Sequence, residues 1–124
     1  MDAYCGTGTI GLIASQYAKE VIGVELNKAA VADARMNAKR NNVKNITFYE
    51  KDAGEFMVQM AEQNAKVDVV MMDPPRTGSD EAFLNAVAIL APAKVVYVSC
   101  NPETLARDLQ ILCNNGYQIE RVRP

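Results

Sequence analysis

Val21-Ile22-Gly23-Val24-Glu25-Leu26-Asn27 is the stretch whose reading decides the fold. Its apolar, β-branched run reads as a buried strand, and Asn27 caps a helix that continues to about Arg40. Asn41-Asn42 end that helix. Working outward, the same strand-then-helix unit recurs. Residues 45–51 alternate through Ile46, Phe48 and Glu50 and read as a strand. Asp52 and Glu55 then make a capping-box-like pair for a helix carrying Phe56, Met57 and Met60. Residues 67–72 read as a short apolar strand, and Ser79 as the cap of a helix whose Phe83, Val87 and Leu90 share a face. Residues 94–99 read as another buried strand. Asn101, Pro102 and Glu103 start a helix with Leu105, Leu109 and Leu112, which Asn114-Asn115-Gly116 ends. Residues 117–122 begin a further strand. This alternation implies an α/β fold, a single domain over residues 1–124 with a mostly parallel sheet and helices on both faces.

Composition narrows the chemistry. A net charge of -2 gives no global basic field to draw nucleic acid. There is no histidine, so imidazole bases and imidazole metal ligands are excluded. Cys5, Cys100 and Cys113 are odd in number and form no CxxC pair. Reduced thiols in a cytoplasmic compartment are expected, with no disulfide framework and no metal site. No signal peptide or apolar run of membrane length is present, so no membrane partner is expected. Both ends read as cut. Only residues 1–4 precede the first glycine loop, where a buried strand belongs, and residues 121–124 stop without a closing turn. The expectation is a fragment of a longer protein, with Met1 an added residue.

Three motifs carry candidate chemistry. Ser99-Cys100-Asn101-Pro102-Glu103 puts a cysteine between the mouth of a strand and a helix N-terminus, where negative charge is favoured. That placement suits a nucleophile; a packed core cysteine is the alternative. Gly6-Thr7-Gly8-Thr9-Ile10-Gly11 matches GxGxxG, and Glu25 ends the following strand where an acid can accept from ribose hydroxyls. A tight turn alone and a dinucleotide site are both compatible with these residues. Asp2 shifts the balance, because a carboxylate there repels a pyrophosphate and suits the cationic amino-acid end of S-adenosylmethionine. Asp52 is placed to accept from an adenine amine, or serves only as a helix cap. Met72-Asp73-Pro74-Pro75-Arg76 is a stiff exit from the sheet. It fixes Asp73 at the carboxyl edge, where open α/β sheets bind ligands.

Tyr4-Cys5-Gly6-Thr7-Gly8-Thr9-Ile10-Gly11-Leu12, Asp73-Pro74-Pro75-Arg76 and Ser99-Cys100-Asn101-Pro102 together resemble the RNA uracil-5-methyltransferases. The resemblance covers essentially the whole chain as the central part of a catalytic domain. It implies a class I, Rossmann-like S-adenosylmethionine-dependent methyltransferase fold, truncated at both ends, with RNA as partner of the full-length protein. Tyr4, Glu25 and Asp73 are then the expected cofactor contacts, beside Asp2, Gly6, Gly8 and Asp52. Cys100 matches the family's catalytic cysteine, and Asp73 lies near the target base. The loop and helix wording is closer to the ribosomal-RNA branch than to the transfer-RNA branch. The family's proton-abstracting Glu lies downstream of Pro124. Its upstream cofactor-binding Gln, its RNA-binding parts and any iron–sulfur cluster are also outside these residues. The isolated chain is therefore expected to be inactive and to bind RNA weakly.

Uracil chemistry explains the residue types. Carbon 5 is a poor nucleophile until a thiolate adds to carbon 6 and turns the ring into an enolate. An amine-directed class I methyltransferase also fits an acid-Pro-Pro motif, but Arg76 stands where an aromatic is wanted, and Cys100 has no use there. An NAD-dependent oxidoreductase explains only the glycines. A non-catalytic binding module explains the cut ends but not the polar residues at the sheet edge.

Overall fold

Strand β1 (Asp2–Ala3) has two residues, yet it occupies the middle of the sheet. The computed structural model describes residues 1–123. After β1 come α1 (Thr9–Ala14), β2 (Val21–Glu25), α2 (Lys28–Arg40), β3 (Ile46–Glu50), α3 (Ala53–Glu62), β4 (Val69–Met72), α4 (Glu81–Leu90), β5 (Lys94–Tyr97) and α5 (Pro102–Asn114). The five strands form one sheet in the order β3-β2-β1-β4-β5, and every pairing is parallel. Parallel neighbours need crossover connections, and the helices supply them. The strand order reverses at β1, between β2 and β4, which is where ligands bind in such sheets.

Register sorts the side chains by face. Ala3 pairs with Val24 and Met72, and all three are buried with Val70, Met57, Phe83, Leu84, Val87 and Leu112 under α3, α4 and α5. Fully burying side chains of this size contributes about 1.5–3 kcal/mol each. On the opposite face, Gly23 lies between Asp2 and Phe48, and Phe48 packs with Val31, Ala34 and Ala38 of α2. The two-faced arrangement expected from the alternation is thus present. It is uneven: Val69 of β4, Val96 of β5 and Val98 stay exposed, and so does Ile13 of α1.

Local chemistry accounts for the helix starts. Asn27, Asp52, Asp80 and Asn101 each accept a hydrogen bond from a main-chain N–H of the first turn they precede. Three expectations need correcting. Asp80, not Ser79, caps α4, because the buried Ser79 is engaged elsewhere. Residues 117–122 form no strand: β5 is the edge of the described sheet, and Tyr117 instead donates its N–H to the Leu112 carbonyl and its hydroxyl to the Pro92 carbonyl. The strand expected at residues 67–72 spans only Val69–Met72, with the Asp68 carbonyl before it accepting from the Lys94 N–H at 3.3 Å. Cys113 is exposed, and its neighbour Leu112 faces the core. No described helix is long and apolar enough to cross a membrane.

Candidate active site

Because all strands run the same way, their carboxyl ends meet at one edge. Tyr4, Glu25, Asp52, Asp73 and Cys100 each follow or end a different strand there. The β1–α1 loop is shaped by its glycines. Gly8 has φ 87°, and a Cβ on it would lie 2.9 Å from the Phe48 ring. Gly6 has φ 55°, and a Cβ on it would meet nothing within 4 Å, so the space over the loop is open. Glu25 Oε1 accepts from the Gly6 N–H at 3.0 Å, and Oε2 accepts from the Asn27 N–H at 2.8 Å. Asp2 lies behind the loop, 1% exposed, and its Oδ2 accepts from the Gly11 N–H at 2.9 Å.

The electrostatics follow chiefly from burial, with neighbouring acids adding to it. Burial raises the Asp2 carboxyl to about 6; the Gly11 N–H and the Met1 ammonium oppose the shift, and the charge of Asp73 adds to it. Burial likewise raises the Cys5 thiol to about 12, with Asp2 and Glu25 contributing. The Tyr4 phenol is raised to about 12 by burial, against its hydrogen bond with Ser79 and with Asp80, Asp52 and Asp108 adding. Tyr4 has φ 60°, a left-handed conformation a tyrosine adopts only when its surroundings hold it. Here the holders are the Ser79 hydroxyl and the Phe83 ring, whose centroid is 5.4 Å away.

The second half of the site lies between β4 and β5. The Val98 N–H donates to the Met72 carbonyl at 2.9 Å, which sets the residue before Asp73 beside the strand that leads to Cys100. Asp73 is exposed, Pro74 is buried, and Cys100 is exposed ahead of the Asn101 cap. The packed-core alternative for Cys100 is therefore removed. The Arg76 carbonyl accepts from Asn101 Nδ2 and from Thr104 Oγ1, each at 3.0 Å. The acid-Pro-Pro-Arg segment and the cysteine turn are thus joined by direct bonds.

The structure consequently forms two groups: the glycine loop, held by Asp2 at Gly11 and by Glu25 at Gly6, and Asp73-to-Arg76 bonded to Cys100-to-Thr104. Asp52, close enough for its charge to act on Tyr4, is bonded to neither group: its Oδ1 accepts from the Glu55 N–H at 3.0 Å, the helix-cap role. Sequence reading missed Ser79, Tyr97, Arg107 and Asp108, which tie the second group together. The spacing of Asn101, Thr104 and Asp108 on one helical face was the available signal.

Comparison with known proteins gives the family and the fold. A family model described as tRNA (Uracil-5-)-methyltransferase matches residues 1–123. A protein of Clostridium tetani described as an uncharacterized RNA methyltransferase is 49% identical over 99% of this chain and 27% of its own length. One of Enterococcus faecalis, described the same way, is 47% identical over 100% of this chain and 27% of its own. The chain thus spans about a quarter of the length of such relatives. The crystal structure of a Pyrococcus abyssi tRNA (uracil-54, C5)-methyltransferase, complexed with S-adenosyl-L-homocysteine, superposes with a TM-score of 0.80. It is 34% identical over 96% of this chain and 28% of that one. A Lactobacillus ribosomal protein L11 methylase shares the fold at 20% identity and a TM-score of 0.74. With its parallel sheet, its glycine loop at the switch point and its acid-Pro-Pro-Arg segment latched to a cysteine turn, the chain belongs to the tRNA (uracil-5-)-methyltransferase family.

Proposed function

We propose that the full-length protein methylates carbon 5 of a uridine in RNA, with S-adenosylmethionine as donor and Cys100 as nucleophile. The observation that carries this reading is the exposed Cys100 at the end of β5, joined through Asn101 to the segment that bears Asp73. The residues at the first group fit the donor's charge. The Tyr4–Gly11 stretch carries no Lys or Arg, and the carboxylates of Asp2, Glu25, Asp52 and Asp73 gather near it. That donor set suits a cation and disfavours a pyrophosphate. Gly6 and Gly8 let the main chain approach, Glu25 takes the ribose, Asp52 the adenine amine, and Tyr4 and Asp73 flank the group. When bound, S-adenosylmethionine supplies the methyl group that carbon 5 acquires.

The chain's own residues do the rest. The target base leaves its stack to reach the edge. The Cys100 sulfur forms a bond to carbon 6, and the ring electrons move onto the carbon 5–carbon 4–oxygen 4 system as an enolate. Asp73 orients the ring. After methylation a base takes the proton from carbon 5, and the sulfur–carbon 6 bond breaks to return the thiolate. The resemblance assigns that base to a downstream Glu, so the 124-residue chain alone should give no turnover and retain little RNA at physiological salt. The substrate we favour is large-subunit ribosomal RNA, on the wording of the loop and helix, and the compartment is the cytoplasm, in keeping with three free thiols.

The test is RNA containing 5-fluorouridine, whose fluorine cannot leave as a proton does. The full-length protein should form a covalent adduct that mass spectrometry locates on Cys100, and Cys100→Ala should lose methylation while still binding S-adenosylhomocysteine. An adduct on Cys5 or Cys113 overturns the assignment. Methylation of transfer RNA but not ribosomal RNA would overturn the substrate choice alone.

A further inference from the structure

Asp108 is a buried carboxylate that none of the steps above uses. It lies inside α5 at 0% exposure. Its Oδ2 accepts from the Ser79 N–H at 2.8 Å and from the Tyr97 hydroxyl at 2.6 Å. Its Oδ1 accepts from Arg107 Nε at 3.1 Å. Enclosing a carboxylate costs several kcal/mol unless such bonds compensate, and an apolar side chain would pack this helix without that cost.

The partners show what the carboxylate secures. Arg107 also donates to the Thr77 carbonyl at 2.8 Å and the Ser79 carbonyl at 3.3 Å. Together with the Asn101 and Thr104 bonds to Arg76, one face of α5 therefore holds the main chain of residues 76–79. The approach is close: Gly78 has φ 80°, and a Cβ on it would lie 2.5 Å from an Arg107 guanidinium nitrogen and 2.8 Å from Asp108 Oδ2. Only glycine fits there. Through the Ser79 hydroxyl the same segment reaches Tyr4, in the glycine loop that follows β1. Asp108 thus joins three strand ends: Tyr97 from β5, Ser79 beyond β4 and, through Ser79, Tyr4 beyond β1.

We propose that Asp108 is a positioning residue for the methyl transfer. It fixes the segment that follows Asp73 against the helix that follows Cys100, and so sets the separation of nucleophile and ring-orienting acid. The proposal rests on the reading of Cys100 as nucleophile. A misplacement of about 1 Å between reacting groups can cost about 10²-fold in rate, whereas Gly6, Gly8 and Glu25, none of them bonded to Asp108 or Ser79, would keep their places.

The test uses the full-length protein and Asp108→Leu, Asp108→Asn and Tyr97→Phe. Asp108→Leu should slow adduct formation with 5-fluorouridine RNA by about 10²-fold, with the Kd for S-adenosylhomocysteine within about twofold of wild type. Asp108→Asn keeps an acceptor for Ser79 and Tyr97 and should restore most of the rate. Tyr97→Phe, the milder change, should show the same split at smaller size should the leucine variant not fold. Unchanged rates in Asp108→Leu and Tyr97→Phe overturn the proposal. So does a rate loss matched by an equal loss of cofactor affinity, or an asparagine variant as slow as the leucine one. If wild type methylates RNA yet forms no adduct on Cys100, the nucleophile reading falls by itself. The Asp108 proposal is then decided by kcat for methylation at saturating cofactor, which falls if it is right and holds if it is wrong.

Discussion

The side-chain amide of Asn101 donates to the carbonyl of Arg76 across 3.0 Å, so the neighbour of Cys100 grips the last residue of Asp73-Pro74-Pro75-Arg76. The same side chain accepts from the Glu103 N–H at 3.1 Å as the cap of α5. One residue therefore both starts the helix and latches the loop. Asn101→Asp keeps the cap oxygen and removes the donor. It should leave stability within about 1 kcal/mol of wild type and slow the full-length protein's adduct formation about tenfold. A thermal melt beside a single-turnover assay separates the two; an unchanged rate would show that the latch does not position the site.

The three thiols should differ sharply in reactivity. Burial and the neighbouring Asp2 and Glu25 carboxylates hold the Cys5 thiol near 12, far from thiolate formation at neutral pH, whereas Cys100 and Cys113 are exposed. Iodoacetamide at pH 7.5 should alkylate Cys100 and Cys113 and spare Cys5 until the protein unfolds. Peptide mapping that finds Cys5 modified first would contradict the packing described for the glycine loop.

Asp2 gives a pH dependence with a definite sign. Its carboxyl is raised from 3.8 to about 6, chiefly by burial, so the folded chain holds a proton that the unfolded chain has already released. Below about pH 4 both states are protonated and the group costs nothing. Between about 4 and 6 its ionisation removes stability, on the order of 3 kcal/mol, and the loss is complete above that window. Asp2→Asn, which still offers an oxygen to the Gly11 N–H, should therefore gain on wild type as pH rises from 4 to 6 and keep a constant lead above it. Urea melts of both proteins at several pH values measure this, and a difference that does not vary with pH refutes it.

Ligand preference follows from the same carboxylates. Calorimetry should show that the full-length protein binds S-adenosylhomocysteine and does not bind NAD at comparable concentration. Glu25→Gln should weaken the former by about tenfold, roughly the worth of a charge-assisted hydrogen bond. Tighter binding of NAD would sink the cation argument.

Much of this was readable in the chain itself, for identifiable reasons. Apolar runs such as Val21 to Glu25 declare a buried parallel strand whatever surrounds them, and Asn27, Asp52 and Asn101 declare helix starts because a cap acts locally. What failed was set by distant contacts. Ser79 looks like a cap beside Asp80, and only the bond between its hydroxyl and that of Tyr4, 75 residues away, shows why it is not one. Residues 117–122 have the pattern of a strand, but pairing needs a neighbour that the pattern cannot supply. The motifs located Asp73 and Cys100 correctly at the sheet edge, while the bonds that join them run through main-chain carbonyls, which leave no mark on side-chain identity.

The position of β1 has a consequence for synthesis on the ribosome. Asp2 pairs with Gly23 on one side and with Met71 on the other, so β1 is placed between partners made about 20 and 70 residues after it. An emerging chain can pair β1 with β2 early, but the socket on its other side stays unfilled until β4 clears the exit tunnel. Long-range parallel pairing of this kind slows folding and leaves strand edges open while it waits. Of the five described strands, the central one is thus made before the others and is among the last to be completed.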